Sequence, residues 1–561
     1  MVQKKKIAVI NVSVLIFVAL VVAILDSVRR TGAANGGGAL SSLHVTTTSK
    51  AIKSICQPTD YKETCEKSLA IAGGNLTDPK DLIKIEFKVA IDELKLALKN
   101  ISAWKEENKG PKIKQAFTNC NDLLESAIED LKVCYSKMGA LDVRKPNDYI
   151  QDVKVFLSGA ATFQESCFDE FNKVKRDYKE KMKTLLNTSR ELTSNGLAMM
   201  NDFSSVLNSS NITSTKIRLL SHDEFPSWVN EGHRRLLAET PGTIQADVIV
   251  AQDGSGKFKT ISEALNLVPD FKNNPTNKSF VIYIKEGIYK EYVTVTKQMR
   301  NVMFIGDGSQ KTKITGYKNF IDGTNTMNTA TVAVLGPKFI AKDIGFENSA
   351  GAKKHQAVAL RVQADRSIFF NCQMDGYQDT LYAHAHRQYY RDCTITGTID
   401  YIFGDAAAVF QNCKMIFRKP IANQKVIVTA QGRSDKNSVT GLVLQNCTIS
   451  ADPEYVAVKN ANQGYLGRPW KMFSRTIYLQ SEIDDVIQPD GWLPWNGKFA
   501  LDTLWYAEYG NRGLGSDTAK RVAWPGIKKL TPEQAADFTI ERFFVVDWIK
   551  PSSVPYNLGM F

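Results

Sequence analysis

Two aspartates at a repeated spacing are the residues best suited to chemistry. Asp379 lies seven residues after Cys372, in Gly376-Tyr377-Gln378-Asp379, and Asp400 lies seven after Cys393, in Gly397-Thr398-Ile399-Asp400. Two carboxylates held close cannot both ionise easily, so one pKa rises while the other stays low. That yields a proton donor beside an anionic base or nucleophile. Turn aspartates capping backbone N–H groups would show the same spacing, so the neighbours decide. Gln378 precedes Asp379, and Gln356 lies about one repeat earlier, in the QAVALR segment 356–361. Amide side chains can donate hydrogen bonds to a developing oxyanion. Arg468 and Trp470, in Tyr465-Leu466-Gly467-Arg468-Pro469-Trp470, set a cation beside an indole, which suits a sugar carboxylate and a sugar face. Tyr382, Tyr401 and Phe403 add aromatic surface nearby in sequence, and Arg361 and Arg468 can also serve simply to neutralise the aspartates.

The elements that would position these residues are repetitive. The segments FFNCQM, YRDCTI, FQNCKM and LQNCTI place cysteines at 372, 393, 413 and 447, spaced by 21, 20 and 34. A period of about 20 residues, each with a short strand and a turn, predicts a coiled parallel β-structure, with a longer loop in its last spacing. Equivalent positions on successive rungs then lie ~4.8 Å apart. That places the two carboxylates on one face and suits a disulfide between rungs; spacing alone allows Cys372–Cys393 or Cys393–Cys413. Short β-like runs begin after Ala246, among them Phe280–Ile284, Val293–Val295, Ala330–Val334 and Val426–Thr429. Upstream, from Ile52 to Leu207, the period is helical. Leu82–Leu98, Cys120–Leu131 and the stretches 148–170 and 177–200 predict an up-and-down bundle. Between the two patterns, Asn208 to Pro241 reads as a linker, and its basic run Arg234-Arg235-Leu236-Leu237 has the look of a protease-accessible site.

Composition narrows the class. With 43% hydrophobic and 23% charged residues, the chain is neither wholly disordered nor a polytopic membrane protein. Its formal net charge of +12 points to an acidic partner. The six histidines are few and no CxxC pair suggests a metal, so the case for nucleic acid is poor. Lys4, Lys5 and Lys6 precede an apolar run, Ile7 to Leu25, that reads as a signal-anchor or a long signal peptide, and is long enough to span a bilayer if retained. Residues 31–50, rich in Gly, Ala, Ser and Thr, read as a flexible stalk. Export fits the sequons at Asn75, Asn100, Asn187, Asn208, Asn211, Asn277 and Asn446. It also fits a chain whose nine cysteines can oxidise, with at least one left over.

The motifs carry a further resemblance. Gly287-Ile288-Tyr289-Lys290-Glu291, QAVALR at 356–361, GYQDTLY at 376–382, GTIDYIFGDA at 397–406 and YLGRPW at 465–470 resemble, in order, those of plant pectinesterases (pectin methylesterases). The resemblance implies a right-handed parallel β-helix acting on methyl-esterified homogalacturonan without cofactor or metal. Carried over by position, Asp400 resembles the nucleophile, Asp379 the acid/base, and Gln378 the transition-state stabiliser, with Gln356 assisting. Thr326, Gln356, Arg468 and Trp470 match substrate contacts. Cys372 and Cys393 match the family's disulfide. Asp405 is a departure, standing where many members have Asn; a carboxylate there would shift the pH optimum. The front half resembles the pectinesterase-inhibitor domain, a four-helix bundle after a short helical hairpin. That likeness implies Cys56–Cys65 and Cys120–Cys167, with Cys134 free. The run at 234–237 resembles the family's processing site, and Ile217-Arg218-Leu219-Leu220 is a weaker second candidate.

The expected organisation is therefore a signal segment (1–30), a stalk (31–50), an inhibitor-like all-α bundle (51–207), a linker (208–240) and an all-β catalytic β-helix (241–561). The expected partners are the acidic polysaccharide, a processing protease, a proteinaceous inhibitor, and a membrane only through the N-terminal run. The expected destination is the cell wall. A glycosidase or lyase on the same solenoid, and a catalytically dead scaffold carrying a binding bundle, are the alternatives. No GxSxG elbow and no acidic cluster suited to a calcium-dependent lyase is present.

Overall fold

A computed structural model of the chain describes residues 40–108, 110–139, 146–172, 176–209, 245–271, 278–545 and 548–561. The expected signal segment lies outside these residues. So do 31–39 of the expected stalk, 210–240 of the linker with both candidate processing runs, and the sequons at Asn211 and Asn277. The chain divides into two compact units, one mostly helical and one mostly β.

The long helices are α1 (Leu40–Cys56), α2 (Lys62–Ala72), α3 (Pro79–Glu107), α4 (Pro111–Gly139), α5 (Pro146–Asp169) and α6 (Arg176–Ser209). Proline opens α3, α4 and α5, where its missing N–H would have had no partner and its fixed φ suits the first turn. Helix α3 buries Leu82, Ile83, Phe87, Ala90, Leu94, Ala97 and Ile101, the three- and four-residue spacing of a single apolar stripe. Both α3 and α5 pack on α6. Disulfides join Cys56 to Cys65 and Cys120 to Cys167, the pairing the resemblance implied, and Cys134 remains a buried thiol. One expectation is corrected: residues 40–50 are not stalk but the start of α1. That stretch holds no Gly or Pro, and the helix it opens buries Ile52, Ile55 and Cys56, the last tied to α2. Among the described residues, no helix is long and apolar enough to cross a membrane.

The β unit coils through three sheets of eleven, eight and seven strands, each sheet taking one strand from successive rungs in parallel pairing. The cysteine repeat marks the corner before the eight-stranded sheet. Gln373, Thr394, Lys414 and Thr448 stand in register on adjacent strands, so the cysteines before them stack. Each follows a residue in left-handed conformation: Asn371 (φ 52°), Asp392 (53°), Asn412 (55°) and Asn446 (51°). Asn and Asp tolerate that conformation far better than other residues with a side chain, which explains the N/D-Cys signature. Their side chains add a ladder of their own, with Asn371 Nδ2 donating to Asp343 (2.5 Å) and Asn446 Nδ2 to Asn412 (2.9 Å).

The four solenoid cysteines are reduced, which corrects the expected Cys372–Cys393 disulfide. In-register parallel rungs project their side chains in the same direction, a strand spacing apart, which exceeds the usual Cβ···Cβ span of a disulfide. Each sulfur instead contacts main-chain oxygens: Cys372 those of Phe370 (3.4 Å) and Ala341 (3.5 Å), Cys393 those of Arg391 and Phe369 (both 3.4 Å).

Inside the coil, Val, Ile, Leu and aromatic residues form one continuous core that includes the cysteines. The eleven-stranded sheet is apolar on its outer face as well. Ile305, Tyr389, Val409, Val443 and Ile477 there pack against Phe538, Phe544, Trp548 and Val554 of the C-terminal segment. This accounts for strands that read as unbroken apolar runs rather than alternating ones.

Candidate active site

The seven-stranded sheet carries the site. Asp375 and Thr396 are in register on neighbouring strands of the eight-stranded sheet, and four residues beyond each the chain reaches Asp379 and Asp400. The two aspartates thus occupy the same place on adjacent rungs, at the corner leading into the seven-stranded sheet. Both are left-handed (φ 63° and 50°) and largely buried, 8% and 5% exposed. Asp379 N–H donates to the Ile399 carbonyl (3.0 Å), which stitches one corner to the next. The turns are tight because Gly397 lies against Tyr401, whose Cβ would be 2.2 Å from any added methyl.

Arg468 comes from a distant rung. Its Nε donates to Asp400 Oδ1 (2.8 Å) and its Nη2 to Oδ2 (2.5 Å), a bidentate fork that fixes the carboxylate plane. Burial works against the Arg468 charge, but the carboxylates of Asp400 and Asp379 outweigh it and hold its pKa above the ordinary arginine value. Its guanidinium also lies 4.4 Å from the centre of the Trp495 ring. Gln356 and Gln378 pair across adjacent rungs, Gln378 immediately before Asp379 in the chain. Gln378 Oε1 is buried with no hydrogen-bond partner among the described residues, the kind of exception that structures keep for function.

An aromatic floor continues the site. Tyr382 and Phe403 are in register and stack at 4.3 Å, and Trp470 meets Phe403 edge-on at 5.9 Å. Arg361 pairs in register with Tyr382 in the same outward column. Thr326 opens a short 3-10 turn, Thr326–Thr329. The loop before that turn is tied to the site by Phe320 N–H donating to the Gln356 carbonyl (3.0 Å). Tyr401, expected as further aromatic surface, belongs instead to the inner core, edge-on to Phe417 at 6.0 Å. Trp495 was missed from sequence; nothing in its Leu493-Pro494-Trp495-Asn496 context marks it, and only the fold brings it onto Arg468. Of the sequons outside the site, Asn75 and Asn187 are exposed, whereas the Asn446 amide is taken up by the corner ladder. Among the described residues, no group of three His, Cys, Asp or Glu could hold a metal ion.

This arrangement offers a fixed carboxylate, a second carboxylate one rung away, two amides and a cation over an aromatic floor: the parts of an acyl-transfer site. Residues 247–547 match the Pectinesterase family model, and residues 50–199 match that of the plant invertase/pectin methylesterase inhibitor. The chain is 49% identical to probable pectinesterase/pectinesterase inhibitor 58 of Arabidopsis thaliana, covering 99% of this chain and 98% of that protein. It is 46% identical to that plant's putative pectinesterase/pectinesterase inhibitor 28, covering all of this chain and 75% of the relative. The solved pectin methylesterase from carrot shares 48% identity and superposes with a TM-score of 0.55, covering 57% of this chain and 99% of its own. The chain belongs to the pectinesterase family: it is a pectinesterase of right-handed parallel β-helix fold, preceded on the same chain by an inhibitor-family helical bundle.

Proposed function

We propose that the chain hydrolyses the methyl esters of homogalacturonan through a covalent intermediate on Asp400. The carboxylate attacks the C6 carbonyl of a methyl galacturonate, and the Gln378 and Gln356 amides donate to the oxyanion; removal of one such donor typically costs ~10²–10³ in rate. As the C–O bond to the methoxy group breaks, Asp379 gives up its proton to form methanol. It then takes a proton from the water that attacks the acyl-enzyme, which releases pectate and restores Asp400. Arg468 orients the nucleophile, while Trp470, Phe403 and Tyr382 provide a face for the sugar rings and Thr326 a further contact. The single observation that carries this reading is the bidentate Arg468–Asp400 pair one rung from Asp379.

The reading extends to the rest of the chain. The bundle holds the enzyme inactive until proteolysis near Leu237; an inhibitor-family domain on the same chain as the enzyme motivates it. Export to the cell wall, by way of the N-terminal apolar run and with glycosylation at some sequons, is supported by the two disulfides of the bundle, since such bonds persist in oxidising compartments. The test is an assay of residues 238–561 and of the full chain on highly methylated homogalacturonan, with methanol and chain length followed together. Methanol with unshortened chains, from the fragment but not from its Asp400→Ala form, is the expected result. Shortened chains without methanol would move the reading to a glycosidase or lyase. Equal activity of fragment and full chain would remove the inhibitory role of the bundle.

A further inference from the structure

Below the cleft lies a buried polar network that the reaction does not use directly. Asp405, 3% exposed, accepts from Gln431 Nε2 (2.9 Å) and from Thr440 Oγ1 (2.5 Å) at the same oxygen, Oδ1. Gln431 is fully buried, and its other end, Oε1, accepts two main-chain N–H groups, those of Arg433 (2.9 Å) and Arg475 (2.7 Å). These two residues hold the C-terminal end of the segment that serves the substrate. Arg433 O receives Phe473 N–H (3.0 Å), and Arg475 follows directly on Ser474. Gly432, between Gln431 and Arg433 in the chain, supports Trp470 so closely that an added Cβ would lie 2.8 Å from the indole Cε3. At the other end of the segment, Arg468 N–H donates to Thr429 O (3.0 Å), two residues before Gln431.

Charge points the same way. Burial pushes the Arg433 and Arg475 pKa values down, and Asp405 is the carboxylate that opposes this for both. A buried carboxylate that satisfies an amide, a hydroxyl and two nearby guanidinium charges specifies one geometry, because each alternative would strand a polar group.

We infer that Asp405 and Gln431 form a positioning relay that sets the Arg468–Arg475 segment, and with it Trp470 and the Arg468 fork, at the height the polysaccharide requires. Both are positioning residues; neither touches the reacting atoms. The inference rests on the esterase reading of the site. Segment placement governs substrate binding, so the relay acts on KM. A merely structural role would lower the fraction of active enzyme, and hence the apparent kcat, with KM unchanged.

The experiment uses the full chain after cleavage in the 208–240 linker, with methanol release from highly methylated homogalacturonan as readout. Wild-type release comes first; its absence overturns the esterase reading rather than the relay. Gln431→Leu, close in volume but without any of the three hydrogen bonds, is expected to raise KM about tenfold. Thr440→Val, which removes only the second donor to Asp405, is the gentler variant and is expected to raise KM two- to threefold. Asp405→Asn keeps an oxygen acceptor and is expected to raise KM less than Asp405→Leu. An unchanged KM in active Gln431→Leu or, should that variant not fold, in Thr440→Val overturns the relay. Equal KM rises for Asp405→Asn and Asp405→Leu also overturn it, because charge alone would then explain the effect.

Discussion

The two units bury carboxylates in opposite ways. In the bundle, Glu86 is fully buried with neutral partners, the Ser68 hydroxyl at 2.8 Å and the Asn195 amide at 3.5 Å. Burial therefore dominates and pushes its pKa up to about 8. In the solenoid, Asp365 receives the Arg387 fork at 2.9 and 2.7 Å, with Arg366 nearby. Burial alone would raise its pKa, but the guanidinium charge of Arg387 prevails and holds the group well below the ordinary carboxylate range. The difference teaches that burial by itself does not set protonation; what the fold places opposite the group does. It also gives the units opposite pH responses. The Glu86 contribution is fully present below its unfolded pKa and is lost as pH rises towards about 8. The Asp365 contribution is present above the unfolded carboxylate pKa and is lost on acidification. Cysteines divide the same way, with disulfides in the bundle and a column of thiols in the solenoid.

Five experiments would break or sharpen this contrast. The largest effect belongs to the site that only the solenoid carries: Asp400→Ala should lower kcat by roughly 10⁴ or more, measured as methanol release, with the fold intact by circular dichroism. Next, Asp365→Asn leaves the Arg387 charge buried without its counter-ion, and urea unfolding should show the solenoid destabilised by about 3–5 kcal/mol. Third, Cys120→Ser with Cys167→Ser should cost the bundle about 2–4 kcal/mol while the solenoid transition stays in place. Alkylation of the denatured, unreduced wild type should label Cys134, Cys372, Cys393, Cys413 and Cys447, and labelling of only three of them would restore a solenoid disulfide. Smallest, Glu86→Gln should remove a loss of bundle stability on the order of 2 kcal/mol between pH 5 and pH 7. A bundle whose melting temperature rises with pH over that interval would reverse the assignment.

Much of the fold could be read from the chain because local rules carry it. Helices α3 to α6 announce themselves by apolar stripes, and the rungs by an Asn/Asp-Cys signature that arises wherever the backbone must turn left-handed at a corner. Asp379 and Asp400 share an offset from that signature, so their stacking was visible in spacing alone. The cysteine pairing was not, because spacing brings two sulfurs to neighbouring rungs without saying whether their side chains converge. Residues 40–50 carry the Ser and Thr of a stalk-like stretch yet are helical, because the helix they open goes on to bury Ile52, Ile55 and Cys56.

The sequence by itself therefore determined the two-part organisation, the period of the coil, and the alignment of two aspartates, two glutamines and an arginine-tryptophan pair. These follow from backbone conformation and periodicity, which act between residues close along the chain. Tertiary structure alone decided that Arg468 grips Asp400, that Trp495 lies on Arg468, that Tyr401 turns inward, and that Asp405 and Gln431 brace the segment carrying Trp470. Those contacts join residues from different rungs, where loop length and packing rather than local preference choose the neighbour.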